Sequence, residues 1–422
     1  MWPRKRLDLG WGDLGSAAAR CMLPACRRAL AAAIESRWSN TGDALVCLSV
    51  RSAFDLLLSS LRLPPRSEML ISAVTIRDMA TIIEAHGLVP VPIDLEVAGM
   101  APRLESLEAG LTARTRAIVV AHLFGGRIDL KPIAEFARRH RLLLIEDAAQ
   151  AFVGDTYKGN EAADASMFSF GPIKTATSLG GAVVRVRDAD LLGLMRERQS
   201  GYPVQSRGDF LKRTMKYAAL KGLSARPVFS AAVAGCRLAR RDYDRLINGC
   251  VRGFGAEHFF QRIRRQPSAP LLSLLARRLA QYDPERLASR AQIAERIMGR
   301  WAGTARFPGS ACQPHTHWLL PLWTNHPARI IATLAEGGFD ATQGQSLTAI
   351  APPDGRPETE PATARRTMSG TVFLPCYPGL PPSAVSRLAE IVQQECEEAD
   401  AATTGSGGRA LAIPRRERLV VG

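Results

Sequence analysis

The stretch Leu142-Leu143-Leu144-Ile145-Glu146-Asp147-Ala148-Ala149-Gln150 decides the fold of this chain. Four consecutive aliphatic residues ending at two carboxylates are too few for a helix and too apolar for a strand with one wet face. They read as a strand buried on both sides, as in parallel sheets. Outward from it, short apolar runs alternate with amphipathic stretches from about residue 45 to 190. Leu45 to Leu48 leads into a helix from Ser52 to Leu61, Glu68 to Val74 reads as a strand, and Met79 to His86 as a helix. Val89 to Ile93 is a strand closed by Asp94, and Ala117 to Ala121 another. Leu130 to Arg139 is a helix, and Ala165 to Phe170 and Gly181 to Val186 are further strands. The alternation predicts an α/β chain with a largely parallel sheet. Ligands of such sheets sit at the carboxyl ends of the strands, so the residues after Leu48, Val74, Ala121, Ile145 and Phe170 are the candidates for chemistry.

The 422 residues are 46% hydrophobic and 23% charged, which excludes a disordered, collagen-like or coiled-coil chain. Lys and Arg number 55 against 40 Asp and Glu, a net charge of +15. Only seven of the cations are Lys, and the basic residues are spread along the chain. No zinc-finger spacing or RNP-type aromatic run turns this charge into a nucleic-acid surface, so no nucleic-acid partner is expected. A phosphorylated small molecule fits better. The eight cysteines contain no CxxC pair and read as reduced thiols of a cytoplasmic protein. Asp8 and Asp13 interrupt the basic N-terminus before any apolar signal-peptide core, and no run is long enough to span a membrane.

Past the sheet the chain changes character. Residues 203–255 are basic and helical, read first as a surface insertion with a solvated Arg face; contact with a membrane surface is the less favoured reading. A strand-like Trp318 to Trp323, a helix Ala328 to Glu336 and a closing helix Pro382 to Glu397 suggest a small second unit. The expected division is a large domain over 1–255, a small C-terminal α/β domain over 256–398, and a disordered tail over 399–422.

Lys174 stands out because a chain so poor in Lys places one in the apolar, glycine-containing run Met167-Phe168-Ser169-Phe170-Gly171-Pro172-Ile173-Lys174. An amine that attacks a carbonyl has to lose its proton, which Arg cannot do and a buried Lys can. The plainer alternative is an exposed loop lysine. Asp147 directly follows a buried strand and points to the ligand crevice, where it could hold a ring nitrogen protonated; it could equally cap a helix. Gln150, three residues on, shares that face if a helix starts here. Ser169 lies within reach of the same ligand. Ser49-Val50-Arg51-Ser52-Ala53 opens a helix whose free N–H groups and Arg51 favour an anion, or else is an ordinary capped helix start. An amine, an aspartate and a phosphate cradle together describe a pyridoxal phosphate site. No metal cluster is expected.

With these residues in view, the chain resembles the DegT/StrS family of pyridoxal-phosphate-dependent sugar aminotransferases over most of residues 25–395. The resemblance is carried by Ser49 to Ala53, by Gly87 to Asp94, by His122-Leu123-Phe124-Gly125, by Ile145 to Phe152, by Phe168 to Lys174 and by Gly180-Gly181-Ala182. It implies fold type I, with a mostly parallel, seven-stranded type of sheet, a small C-terminal α/β domain and a homodimer. Lys174 would hold pyridoxal phosphate, Asp147 would pair with its pyridine nitrogen, and Gln150 would lie near its phenolic oxygen. Ser169, Arg51 and Ser52 would hold the phosphate. The activity implied is amino transfer, with glutamate as donor, to a keto sugar carried on a nucleotide. The family's 3-dehydratase branch carries His where Lys174 stands here. The chain departs from the family pattern at Ile76, where an aromatic residue usually covers the ring, at Val50-Arg51, and at Leu179 before the glycine pair. The alternative from another class is a non-catalytic or regulatory relative that keeps the fold and sits at a membrane periphery.

Overall fold

The computed structural model describes residues 1–241, 243–244, 257–344 and 346–405. Its strands are β1 (Ala44–Cys47), β2 (Glu68–Ser72), β3 (Val74–Ile76), β4 (Val89–Ile93), β5 (Thr115–Ala121), β6 (Leu143–Asp147), β7 (Ala165–Ser169), β8 (Ala182–Val186), β9 (Leu320–Trp323), β10 (Leu347–Ala349) and β11 (Thr371–Leu374). Seven of them form the central sheet in the order β1, β8, β7, β6, β5, β2, β4. All neighbours from β7 to β4 are parallel, and β8 runs antiparallel to both β1 and β7. The expected mostly parallel, seven-stranded sheet is therefore present, with Leu144 and Ile145 buried at its centre. Pro90 and Pro92 fall in β4, an edge strand, where a missing N–H donor on the free side removes no ladder bond.

Helices cover both faces, as an apolar parallel sheet requires. Val50–Leu61, Arg77–Ala85 and Ala189–Ser200 pack on one side, and Lys131–His140 with Leu104–Gly110 on part of the other. The expected single strand from Glu68 to Val74 is broken at Ala73, whose N–H bonds to Ile93 while its carbonyl takes the N–H of Ile350. The chain then leaves the sheet as β3, which pairs antiparallel with β10 and sets Ile76 opposite Leu347.

The second unit is built from the β9–β11 pair and the helices Glu285–Met298, Pro327–Glu336 and Pro382–Gly405. Helix Ala269–Ala280, expected in this unit, instead buries Leu271, Leu272, Leu274 and Leu275 against the helices Trp11–Met22 and Arg27–Trp38 of the large one. Its apolar face explains the departure from a division at 255/256: it completes the core beside β1 and β8. The last helix runs past the expected stop at Glu397. Arg306 pairs with Asp400, and the Trp301 indole donates to the same carboxylate at 3.3 Å, so Ala399–Gly405 is helical rather than the start of a tail. The rest of the expected disordered tail lies outside the described residues. In the basic segment Arg207–Leu223 and Arg226–Leu238 are helices, and the former buries Phe210, Thr214 and Tyr217. The expected insertion continues to 255, but residues 242 and 245–256 lie outside the described set.

Candidate active site

A cleft of about 2040 Å³ opens where β5, β6 and β7 end. Arg51, Ile76, Asp147, Gln150, Ser169 and Lys174 all line it. Ser52 does not: its hydroxyl bonds Ser49 at 2.9 Å and its N–H is capped by the Ser49 hydroxyl at 3.1 Å. The serine pair thus shapes the helix start, and Arg51 is the residue that faces the cleft, ion-paired to Asp78.

Lys174 is held by a loop that leaves β7 and returns to β8. Its N–H bonds Gly171 O at 3.0 Å, Phe170 O takes the N–H groups of Ser178 and Gly180, and Phe170 N–H bonds Gly181 O at 3.0 Å. Gly181 has φ +87°, and a Cβ there would meet Leu271 and Leu275 at 3.3 Å, so only glycine fits. Behind the loop Phe168 and Phe170 pack edge-on against Trp38. The basic helix adds a prop from outside, with Arg213 donating to Leu179 O at 3.1 Å. Lys174 itself is half-buried, and its Nζ stands 3.9 Å from the centre of the Trp318 ring. Loss of hydration pulls the amine down to about pKa 7, against the attraction of Asp147 and with help from Arg51.

Asp147 ends β6. Its Oδ1 accepts from Ala149 N at 3.0 Å. Burial raises its pKa, against the Ala149 N–H and Lys174, so the carboxylate is short of compensation. Next to it Glu146 is fully compensated. Its Oε1 accepts from His122 Nε2 at 2.7 Å and from the Tyr157 hydroxyl, and its Oε2 from Asn160 N at 2.8 Å. Burial pushes Glu146 upward, but these donors outweigh it and hold the carboxyl at about 2. The Ile128 N–H bonds His122 Nδ1 at 3.2 Å, which assigns the imidazole proton to Nε2. The pair therefore reads as a scaffold that fixes the end of β6 and leaves Asp147 as the chemically available carboxylate. Gln150 Oε1 accepts from Phe124 N at 2.8 Å, which fixes its side chain against the β5 end.

The arrangement fits a pyridoxal phosphate in kind: a half-buried amine near neutrality, an under-compensated aspartate one strand away, a hydroxyl on Ser169, and a capped helix start beside Arg51. Sequence reasoning missed three contributors. Trp318 from the second unit forms the wall under Lys174, its indole donating to Ile173 O at 2.9 Å. The His122–Glu146–Tyr157 network sits behind Asp147. The N-terminal segment Pro3 to Leu7 also lines the cleft and places Lys5 Nζ over the same Trp318 ring. The scarcity of lysine that singled out Lys174 applies equally to Lys5, and that signal was in the sequence.

Strand order, the single antiparallel β8 and a lysine in the loop between β7 and β8 define a protein of fold type I, the fold of the pyridoxal-phosphate-dependent sugar aminotransferases. The DegT/DnrJ/EryC1/StrS aminotransferase family model matches residues 31–238, just under half of the chain, and over that stretch the chain resembles the family. The match takes in the sheet, the Lys174 loop and both basic helices. Among curated relatives, GDP-perosamine synthase of Caulobacter vibrioides is 36% identical over 156 residues, which are 36% of this chain and 42% of that protein. The dTDP-4-dehydro-2,6-dideoxy-D-glucose 3-dehydratase of Saccharopolyspora spinosa is 34% identical over 155 residues, 36% of this chain and 33% of that one. The chain thus matches well under half the length of these relatives. Among solved structures, the aminotransferase TlmJ of Streptoalloteichus hindustanus superposes with a TM-score of 0.66 at 19% identity, covering 94% of this chain and 98% of that one, which is a likeness of fold. No described helix is long and apolar enough to cross a membrane.

Proposed function

We propose that the protein is a pyridoxal-phosphate-dependent aminotransferase that passes an amino group, with glutamate as donor, to a keto sugar linked to a nucleotide. The observation that carries the reading is Lys174: a lysine amine brought to about 7, on the floor of a cleft that also presents Asp147. Similarity at about the same level reaches both an amino-sugar synthase and a 3-dehydratase, so overall likeness does not choose between the two chemistries. The residue does. A lysine in this loop supports amino transfer, since it can both hold the cofactor and handle the proton.

Lys174 would hold the cofactor covalently, Asp147 would keep its ring nitrogen protonated, and Ser169 with the Val50–Leu61 helix start and Arg51 would hold its phosphate. Once bound, the ring supplies an electron sink for the carbon that loses a proton. Lys174 Nζ takes that proton and returns it, which needs an amine neutral near pH 7. Ile76 and Trp318 keep water from the reacting face. The basic rim suits the diphosphate of a nucleotide sugar. The cleft is larger than the roughly 300–1,000 Å³ of an ordinary ligand pocket, and apolar residues such as Leu223, Phe229 and Val233 line one end, which supports a second copy seated there in a homodimer. Seven described cysteines are free thiols, which supports a cytoplasmic setting.

The test is to incubate the cofactor-loaded protein with glutamate and a panel of nucleotide-linked keto sugars. The reading expects 2-oxoglutarate formed in step with a sugar whose mass shows oxygen replaced by an amino group. Loss of a sugar hydroxyl with no 2-oxoglutarate would assign it to the dehydratase chemistry instead.

A further inference from the structure

The N-terminal segment crosses the cleft as a strap tied at both ends. At one end Trp2 exchanges backbone hydrogen bonds with the second unit, N–H to Gly338 O at 2.7 Å and O from Asp340 N at 2.9 Å. At the other, Asp8 Oδ2 accepts from Ala176 N at 2.7 Å, two residues past Lys174. Three consecutive cations lie between these anchors, one held by carboxylates and two set over aromatic rings. Arg4 forms a two-pronged pair with Asp340, both contacts at 2.8 Å, and also pairs with Asp244. The Arg6 guanidinium lies over the Tyr377 ring at 5.5 Å.

Lys5 differs. Its Nζ is buried, has no hydrogen-bond partner among the described residues, and stands 3.9 Å from the centre of the Trp318 ring that Lys174 also faces at 3.9 Å. The two amines are therefore no more than twice that distance apart. The carboxylate that would answer Lys5, Asp8, is already ion-paired to Arg278 and Arg286. The nearby Cys376 thiol is pushed up to about 12 by burial and stays neutral. Arg290 adds another cation with an unpartnered Nε. Burial, Lys174 and Arg290 together drive the Lys5 pKa well down, the mark of a charge missing its counter-ion.

We propose that this strap is the roof of the substrate pocket and that Lys5 Nζ is its carboxylate-binding group, taking a carboxylate carried one or two bonds from the carbon that reacts at Lys174. The inference rests on the aminotransferase reading, which sets where that carbon lies. Two substrates could carry such a group: the amino donor, whose carboxylate adjoins the reacting carbon, or an acidic acceptor sugar. The two amines share the indole of Trp318, so that one handles the proton while the other fixes the anion. Arg4 and Arg6 hold the strap down on either side.

The test is calorimetric titration of the full chain, loaded with pyridoxal phosphate, with glutarate, an unreactive dicarboxylate, and separately with UDP-glucuronate and UDP-glucose. Lys5→Met is expected to weaken glutarate binding about tenfold to a hundredfold, the scale of a hydrogen bond to a charged group. Lys5→Arg, which keeps the charge, should stay within a few-fold of wild type, and Lys212→Met on the exposed face of the basic helix should change nothing. If glutarate ignores Lys5→Met while UDP-glucuronate weakens and UDP-glucose does not, the carboxylate belongs to the acceptor and the assignment stands. Equal binding of both acids by Lys5→Met and wild type overturns it. So does an equal loss in Lys5→Met and Lys5→Arg, which would make the strap structural only. The visible spectrum reports on Lys174 separately: Lys5-dependent acid binding without an aminotransferase spectrum refutes the catalytic reading alone, and the reverse pattern refutes the carboxylate site alone.

Discussion

The floor and the roof of the cleft carry the same functional group, a lysine facing Trp318, and they treat it in opposite ways. The floor is sheet. Lys174 sits in a loop fixed by backbone hydrogen bonds, an aromatic cluster and a tightly packed glycine, with Asp147 one strand away to attract its charge. The roof is a strap without regular structure across the cleft, and Lys5 has no carboxylate left to answer it. The difference teaches where each region obtains its stability. A floor compensated from within is ready without substrate, whereas the roof is left one anion short, which a substrate can supply.

The sharpest way to break this comparison is to remove the compensation from the floor. Glu146→Gln leaves His122, Tyr157 and Asn160 with a weaker acceptor in a buried site, and should cost about 3 kcal/mol of stability. Because the Glu146 carboxyl is held at about 2, its contribution is present above the ordinary carboxylate range and is lost as pH falls through about 2. Denaturant melts of wild type and variant at pH 7 should therefore differ by that amount. Coincident melts would mean that the floor does not depend on this network.

A smaller effect sharpens the same contrast through pH. The free Lys174 amine is protonated below about 7 and neutral above it, so the rate at which the cofactor-free protein captures pyridoxal phosphate should rise about tenfold per pH unit up to about 7 and then level. Stopped-flow rates across about pH 5.5–8.5 measure it, the range being chosen to bracket roughly one and a half units on either side. A limb displaced to near the ordinary lysine value would show that the cleft does not desolvate the amine.

How much of this was legible in the sequence follows from the same contrast. The floor could be read because periodicity reports burial: an apolar run such as Leu142 to Ile145 has one stable use, and topology then places whatever follows it at the ligand crevice. Lys174, Asp147, Gln150, Ser169 and Arg51 were singled out in that way, and all five line one cleft. Ser52 was singled out with them but bonds Ser49 and does not line the cleft, because a helix start offers two serines and the sequence does not say which one caps and which one backs it. Helix Ala269–Ala280 was misassigned because an amphipathic helix shows that it packs without showing against what. The roof had no period to read. Trp2 to Asp8 looks like a basic leader, and only the tertiary anchors at Gly338, Asp340 and Ala176 turn it into a wall of the site. Trp318 reads from sequence as part of a strand, yet it precedes β9, and the loop places its ring under both amines.

The central claim is that Lys174 is the group that holds the cofactor. The most direct measurement is the absorbance spectrum of the purified protein with pyridoxal phosphate, after removal of free cofactor, beside Lys174→Ala treated identically, before and after glutamate. The account predicts a visible band in wild type that the variant lacks and that glutamate shifts to shorter wavelength. Identical spectra for the two proteins would contradict it and leave a fold type I chain whose cleft serves some purpose other than amino transfer.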